Sequence, residues 1–274
     1  MRVLITGNKG LIGSHIQTYL ESMSHEVVGW DLKDGRDINM LYLEHGKFDI
    51  AIHCAALCSI RECINSPADN FADNVSGTHQ FFEFARSVDC KKIIYFSSSR
   101  VLSKERNTYT AAKLFGEELC KGYYDCYGIN YTIIRPSTVF GENDDTDRII
   151  PRFINNALND KPLEIYGNIG KRLYLTYIKD FMDMFIQIFE GNYTHAIRDV
   201  NERKAFDMTC GESVNIHKLA EFIIKETKSK SKIKFKKAET AQPQQVYLEG
   251  FDRQLKYGWQ AGIIKSIEYY RGKT

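Results

Sequence analysis

The stretch Arg2-Val3-Leu4-Ile5-Thr6-Gly7-Asn8-Lys9-Gly10-Leu11-Ile12-Gly13 decides the fold. Its first half is a short aliphatic run with the composition of a buried strand, and its second half opens a helix over residues 11–23. Gly7 permits a tight turn, Gly10 lets the backbone approach a pyrophosphate, and Gly13 lets the helix pack against the sheet. The N–H groups at the helix start, those of Leu11 and Ile12 among them, have no partner inside the helix and face an anion placed there. A glycine triplet alone says little, but between a strand and a helix it is a dinucleotide-binding signature. Asp31 follows at the end of a second strand, residues 26–30. Its carboxylate can accept hydrogen bonds from an adenosine ribose and opposes a 2′-phosphate, which favours NAD. Lys9, Lys33 and Arg36 stand nearby in sequence and keep NADP open as the alternative.

Working outward, strand-sized and helix-sized segments alternate. Strands are predicted at residues 49–53, 92–97 and 131–135, and helices at 71–88 and 109–127. In the first of these helices Phe71, Val75, Thr78, Phe82 and Ala85 fall on one face. This order predicts an α/β, doubly wound parallel sheet covered by helices on both faces. The second half is less regular, with helices at 149–158, 178–189 and 214–225 and a turn-rich segment from Pro162 to Gly167. Lys232, Lys234 and Lys236 alternate with Ile233 and Phe235, the pattern of an edge strand whose outward lysines discourage pairing with other chains. The expected layout is a dinucleotide-binding domain over 1–137 plus about 176–209, and a small substrate-binding lobe over about 138–175 plus 210–274.

Among 274 residues, 37 are basic and 35 acidic, so no overall charge draws the chain to nucleic acid or to an anionic membrane. No apolar run approaches the ~18 residues of a spanning helix. The start shows no charged segment leading into an apolar one, so a cytoplasmic protein is expected. Seven cysteines, at 54, 58, 63, 90, 120, 126 and 210, include no Cys-x-x-Cys pair and are expected to be buried, reduced thiols. Cys54, Cys58 and Cys63 lack a fourth ligand, so no metal is expected.

The second chemical motif is Tyr109-Thr110-Ala111-Ala112-Lys113. On a helix this spacing sets the phenol and the ammonium one turn apart on one face. A free tyrosine, with a pKa of ~10, is a poor base at neutral pH. A neighbouring cation favours the phenolate, which can take a proton from a hydroxyl as hydride leaves the same carbon. The serine-rich strand end Ser97-Ser98-Ser99 just upstream offers a hydroxyl to the same substrate oxygen.

With these motifs the chain resembles the extended short-chain dehydrogenase/reductases, specifically the NAD-dependent epimerase/dehydratase group acting on sugar nucleotides. The resemblance runs along nearly the whole chain. It implies a Rossmann-type sheet with a small C-terminal lobe, with Gly7, Gly10 and Gly13 as the glycine motif and Asp37-Ile38 as the pair beside adenine. His53-Cys54-Ala55-Ala56 resembles the strand end beside the cofactor, and Asn74-Val75-Ser76-Gly77-Thr78 the helix motif with the family's asparagine. Counting back three from Val101 puts the catalytic serine at Ser98, with Tyr109 and Lys113 completing the set. Arg135-Pro136-Ser137-Thr138 resembles the loop on the nicotinamide side. Ser99, Thr138 and Arg172 are the implied substrate contacts, and Tyr177-Ile178-Lys179-Asp180 and Cys210-Gly211-Glu212-Ser213 resemble C-terminal signatures. A homodimer through a four-helix bundle is implied, built from residues 73–88 and 109–127; Phe81, Phe84, Tyr123 and Tyr124 fit its surface and fit core packing within the monomer equally well.

There are departures. Ten residues separate Ser98 from Tyr109, where the group has a longer connection. Ser99 and Arg100 stand where dehydratases and decarboxylases of the group carry carboxylates, which sets a dehydratase behind. Thr138 replaces an asparagine, Arg172 lies one residue further from Asp180 than the pattern has it, and a second diphosphate arginine has no counterpart near Gln242-Pro243. The resemblance implies an NAD-dependent epimerase that transiently oxidises C4 of a nucleoside-diphosphate hexose. The alternatives are an NAD(P)H-dependent 4-keto-sugar reductase and, from another class, a non-catalytic NAD-binding regulator.

Overall fold

The structure, a computed structural model, describes residues 1–167, 169–191, 205–209, 213–238 and 255–273. Cys210, Gly211, Glu212, Gln242 and Pro243 lie outside them. The chain divides into two compact units: Met1–Val101, Arg106–Pro136 and Arg198–Asp207 form the first, and Leu102–Glu105, Ser137–Ile197 and Met208–Thr274 the second. In chain order the elements are β1 (Arg2–Thr6), α1 (Leu11–Ser22), β2 (Glu26–Trp30), β3 (Ile50–His53), α2 (Ile60–Asn65), α3 (Pro67–Asn70), α4 (Gly77–Ser87), β4 (Lys92–Phe96), α5 (Thr108–Tyr127) and β5 (Asn130–Pro136). There follow β6 (Thr138–Phe140), α6 (Ile149–Leu158), β7 (Leu163–Tyr166), β8 (Arg172–Tyr177), α7 (Ile178–Glu190), β9 (Ala205–Met208), β10 (Ser213–Asn215), α8 (Ile216–Thr227), β11 (Ile233–Lys236) and α9 (Gly258–Arg271).

The first unit is built on a sheet with strand order β2-β1-β3-β4-β5-β9, parallel at the four contacts from β2 to β5. Strands β1, β3 and β4 are almost wholly buried, so they read as continuous apolar runs rather than alternating ones. The chain passes from β1 outward to β2 and then back to β3 on the other side of β1. That reversal is the topological switch point of a doubly wound sheet, and such folds receive their ligands there, beyond the carboxyl ends of the strands.

Helix α4 and helix α5 bury one face each in this unit. Phe82 packs edge-on against Tyr123 at 5.1 Å and against Phe81 at 5.7 Å. Phe81, Phe84 and Tyr123 are thus core residues, and of the four aromatics that fit either a dimer surface or the core only Tyr124 is exposed. Their apolar area is already buried within the monomer. The helix predicted from Phe71 also differs. Residues Phe71–Ser76 form one wide π turn between α3 and α4. The extra residue per turn rotates the apolar stripe, so Phe71 faces solvent, 61% exposed, while Asn74 turns inward.

The second unit contains the sheet β10-β8-β6 and the parallel pair β11-β7. Strand β7 occupies the segment expected to be turns: Leu163 and Ile165 alternate inward, a period of two too short to stand out between Pro162 and Gly167. The lysine-rich segment forms β11, where Lys236 reaches Glu164 at 3.3 Å across the pair. Among the described residues no helix is long and apolar enough to cross a membrane. Cys58 and Cys126 are exposed rather than buried, whereas Cys63, Cys90 and Cys120 are buried as expected.

Candidate functional site

The glycine turn closes on itself before it meets anything else. Gly7 has φ +73°, and its N–H donates to Trp30 O at 2.8 Å, tying the turn to β2. A Cβ on Gly7 would stand 2.5 Å from the Ala55 nitrogen, so the ends of β1 and β3 touch here through backbone alone. A Cβ on Gly13 would stand 2.2 Å from Gly7 O, which explains the third glycine. Gly10 is exposed and begins α1 without a side-chain cap, leaving the first-turn N–H groups of Leu11, Ile12 and Gly13 to the space beyond the sheet. Asn8 is buried in the same turn; its Nδ2 donates to Gln17 at 2.9 Å while its Oδ1 has no partner.

Asp31, at the end of β2, accepts from the Lys9 N–H and the Lys33 N–H, both at 2.9 Å. The Lys9 ammonium turns instead to Asp34, at 3.4 Å. Asp37 caps the following turn through the Asn39 N–H at 2.8 Å. Ile38 rests against α4 where Gly77 leaves room, since a Cβ there would meet Ile38 at 2.6 Å. Ala55 and Ala56 are half-buried in the loop after β3.

Helix α5 carries the Tyr109–Lys113 pair. Asn107 and Thr110 cap each other reciprocally, Asn107 Oδ1 accepting the Thr110 N–H at 2.9 Å and Thr110 Oγ1 the Asn107 N–H at 3.0 Å. This box starts the helix one residue before Tyr109 and fixes both side chains on its buried face. Lys113 Nζ donates to Phe96 O, at the end of β4, at 3.0 Å and lies 5.9 Å from the centre of the Tyr109 ring. Burial lowers the Lys113 pKa, and the thiols of Cys58, Cys54 and Cys63 act in the opposite sense. Ser98, on the next turn of chain after Phe96, is buried and accepts the Arg100 N–H at 3.2 Å. Ser99 is buried beside it, and Pro136 closes β5. In the second unit, Thr138 opens β6, and Arg172 donates to Ser213 through Nε to Oγ at 2.8 Å and through Nη2 to the carbonyl.

Asn74 is held by backbone. Its Oδ1 accepts the Leu57 N–H at 2.9 Å, and its Nδ2 donates to Leu57 O at 3.0 Å and to Asn70 Oδ1 at 2.8 Å. Asn70 Nδ2 in turn donates to Thr108 O at 3.1 Å. The wide π turn therefore braces the loop after β3 and the start of α5 together.

Sequence reasoning passed over two groups, Asn70 and Glu117, and gave no role to the His53 side chain. Asn70 lies four residues before Asn74, a spacing that was legible. Glu117, four residues after Lys113 on the same helix face, is buried and takes Arg135 through both oxygens, with Ser97 Oγ donating at 2.5 Å. His53 stands between Thr6 Oγ1, at 2.7 Å from Nδ1, and Thr78 Oγ1, at 3.1 Å from Nε2. Burial, helped by the Lys113 charge, drives its pKa well down, so His53 is neutral.

The fold is thus the doubly wound sheet that receives dinucleotides at its switch point. The chain belongs to the NAD dependent epimerase/dehydratase family, whose pattern it matches over residues 3–201. The human dTDP-D-glucose 4,6-dehydratase is 24% identical over 98% of this chain and 90% of its own length. The UDP-glucose 4-epimerase of Thermotoga maritima, solved with UDP-glucose, superposes with a TM-score of 0.86 at 19% identity, covering 100% of this chain and 99% of that one. The UDP-glucuronic acid 4-epimerase of Bacillus cereus, solved with UDP-glucuronic acid and NAD, gives 0.83 at 22% identity, covering 100% of both chains. NAD is the cofactor of the family, and the glycine turn fits it: an uncapped helix start, an exposed Gly10 and a buried Asn8 Oδ1 in want of a donor.

Proposed function

We propose that the chain is a nucleotide-sugar 4-epimerase. The observation that carries this reading is the buried Tyr109–Lys113 pair, anchored at the end of β4 by the bond from Lys113 Nζ to Phe96 O. Ser98 holds the C4 hydroxyl, and the Tyr109 phenolate accepts its proton. The Lys113 ammonium, 5.9 Å from the centre of the Tyr109 ring, favours the phenolate by its charge. Tyr109 then returns the proton to the same oxygen after the sugar has presented its other face. NAD, when bound, supplies the hydride acceptance and return at C4. Gly7, Gly10, Leu11, Ile12 and Gly13 would hold its pyrophosphate, Asp31 the adenosine ribose, Asp37 and Ile38 the adenine, and Ala55, Ala56 and Pro136 the nicotinamide end, with Asn74 fixing the loop of Ala55 and Ala56 through Leu57. The Lys9–Asp34 pair leaves Lys9 engaged, which favours NAD over NADP.

The named 4-epimerases among its structural neighbours support this reading. The dehydratase relative is a weaker guide, because Ser99 and Arg100 supply no carboxylate for elimination of water. Ser99, Thr138 and Arg172 are the proposed substrate contacts, the cytoplasm the proposed compartment and a homodimer through α4 and α5 the proposed assembly, which light scattering at micromolar concentration tests. The function is tested by NMR of UDP-glucose and, separately, UDP-galactose incubated with the protein and catalytic NAD. Both are expected to converge on one mixture; two unchanged spectra overturn the proposal, and consumption of NADH by a 4-keto-sugar in place of convergence identifies a reductase.

A further inference from the structure

We propose that His53 is a positioning residue for the hydride-transfer site: it seats the wide turn Phe71–Ser76 against the sheet, and that turn holds both the nicotinamide-side loop and the start of α5. This rests on the NAD-binding reading above and adds a residue that acts through others.

The imidazole is buried at the end of β3. Thr78 Oγ1, in the first turn of α4, donates to Asn74 O at 2.8 Å, which uses its single proton. Toward His53 Nε2, at 3.1 Å, the Thr78 oxygen therefore accepts, so Nε2 carries the imidazole proton. His53 is neutral, because burial, helped by the Lys113 charge, drives its pKa well down. Its Nδ1 is then bare and accepts from Thr6 Oγ1 at 2.7 Å. The chain of bonds runs one way: Thr6 to His53, His53 to Thr78, Thr78 to the carbonyl of Asn74. All three side chains are buried, so a broken link leaves a polar group unsatisfied rather than handed to water. His53 also stacks on Phe81 at 4.5 Å and on Tyr95 at 5.9 Å, which fixes the plane of the ring.

The strand ends do not need the imidazole. Thr6 and His53 are paired in register, and the Cys54 N–H donates to Thr6 O at 3.0 Å. The glycine turn is held separately, by the Gly7 N–H to Trp30 O. Thr78 is placed differently: it directly follows the wide turn, and its bond to His53 ties that turn to the sheet. Within the turn Asn74 takes both the N–H and the carbonyl of Leu57, in the loop of Ala55 and Ala56. Asn70, just before the turn, holds Thr108 O next to Tyr109. A shift of the turn therefore moves two things together, the loop beside the nicotinamide and the helix start that carries the base. Hydride leaves the carbon whose hydroxyl Tyr109 deprotonates, so these two must keep register.

Two amides divide the imidazole between them. A glutamine reaches the place of Nε2 and still donates to Thr78, whereas an asparagine reaches only the place of Nδ1 and keeps the contact to Thr6. Calorimetric titration of the parent, His53→Asn, His53→Gln and Thr78→Val with NAD and with ADP tests the proposal, circular dichroism reporting the fold. His53→Asn and Thr78→Val are expected to weaken NAD by roughly tenfold, the scale of one buried hydrogen bond, and His53→Gln to recover most of that loss. ADP reaches only the glycine turn and the Asp31 segment, and its affinity should stay within about twofold. Hydrogen exchange of the ligand-free proteins gives a second readout: the Leu57 N–H, held by Asn74, exchanges faster in Thr78→Val while the β1 amides keep the parental rate. Equal weakening of NAD and ADP shows a general loosening and overturns the inference. Parental NAD affinity in a folded His53→Asn, or a His53→Gln no better than His53→Asn, overturns it too. If the His53 variants do not fold, Thr78→Val decides by the same criteria. A parent that binds neither ligand removes the cofactor reading and the inference with it. None of these readouts depends on which sugar is turned over, so a failed epimerase assay leaves them in force.

Discussion

Glu117 and Arg135 form a two-pronged buried ion pair, Oε1 to Nε at 2.8 Å and Oε2 to Nη2 at 2.6 Å, that clamps the helix bearing Tyr109 and Lys113 to strand β5. Arg135 also reaches Asp207 at 3.4 Å, and Ser97 donates to Glu117, so four segments of the first unit meet at one carboxylate–guanidinium contact. Removing one member leaves the other charged and buried. Arg135→Met is expected to destabilise the protein by about 3–5 kcal/mol. Urea denaturation monitored by tryptophan fluorescence measures this, and a loss below about 1 kcal/mol would show that the pair is dispensable.

Gly13 touches Gly7 O so closely that a methyl group has nowhere to go. Gly13→Ala must push α1 off the glycine turn, an overpacking cost of about 1–3 kcal/mol. Part of that cost is expected to appear as weaker NAD binding, by roughly tenfold or more. NAD affinity from fluorescence titration decides it. An unchanged affinity would mean that the turn does not hold the dinucleotide.

His53 is buried and neutral between two threonine hydroxyls, with its pKa well below the ordinary value. Below about pH 6.5 the unfolded chain binds a proton at this histidine that the folded chain refuses. Acid then favours unfolding, with a slope of up to about 1.4 kcal/mol per pH unit from this group until the folded pKa is reached. Above that window the effect is absent. His53→Asn is expected to flatten the difference in urea midpoint between pH 7.5 and pH 5, values chosen to bracket the ordinary histidine range. Parallel curves for the two proteins would remove His53 from the account.

Much of this was legible in the residues. Gly7, Gly10, Gly13 and Asp31 specify a backbone shape through local rules, and the structure places them at one turn, Asp31 accepting the Lys9 N–H. Tyr109 and Lys113 were legible because helical spacing alone sets them on one face. The contacts that position them were not. Glu117 meets Arg135 across 18 residues and His53 meets Thr6 across 47, and neither partner carries a local signal. The wide turn at Phe71–Ser76 was not legible because an unbroken helical period fits the same residues, and that period puts Phe71 on the apolar face. Phe81, Phe84 and Tyr123 fitted a dimer surface and a monomer core equally in the sequence, because an amphipathic stripe does not say which apolar face packs within the monomer; all three are core.

The most direct test of the account is Tyr109→Phe, assayed for interconversion of UDP-sugars at C4 alongside NAD affinity. The side chain is buried and the change removes one oxygen, so the fold and the cofactor site should persist. The expected result is a fall in kcat of roughly 10²–10⁴, the range for loss of a positioned acid–base group, with NAD affinity within a few-fold of the parent. A variant that interconverts the epimers at the parental rate would contradict the claim that the Tyr109 phenol carries the proton.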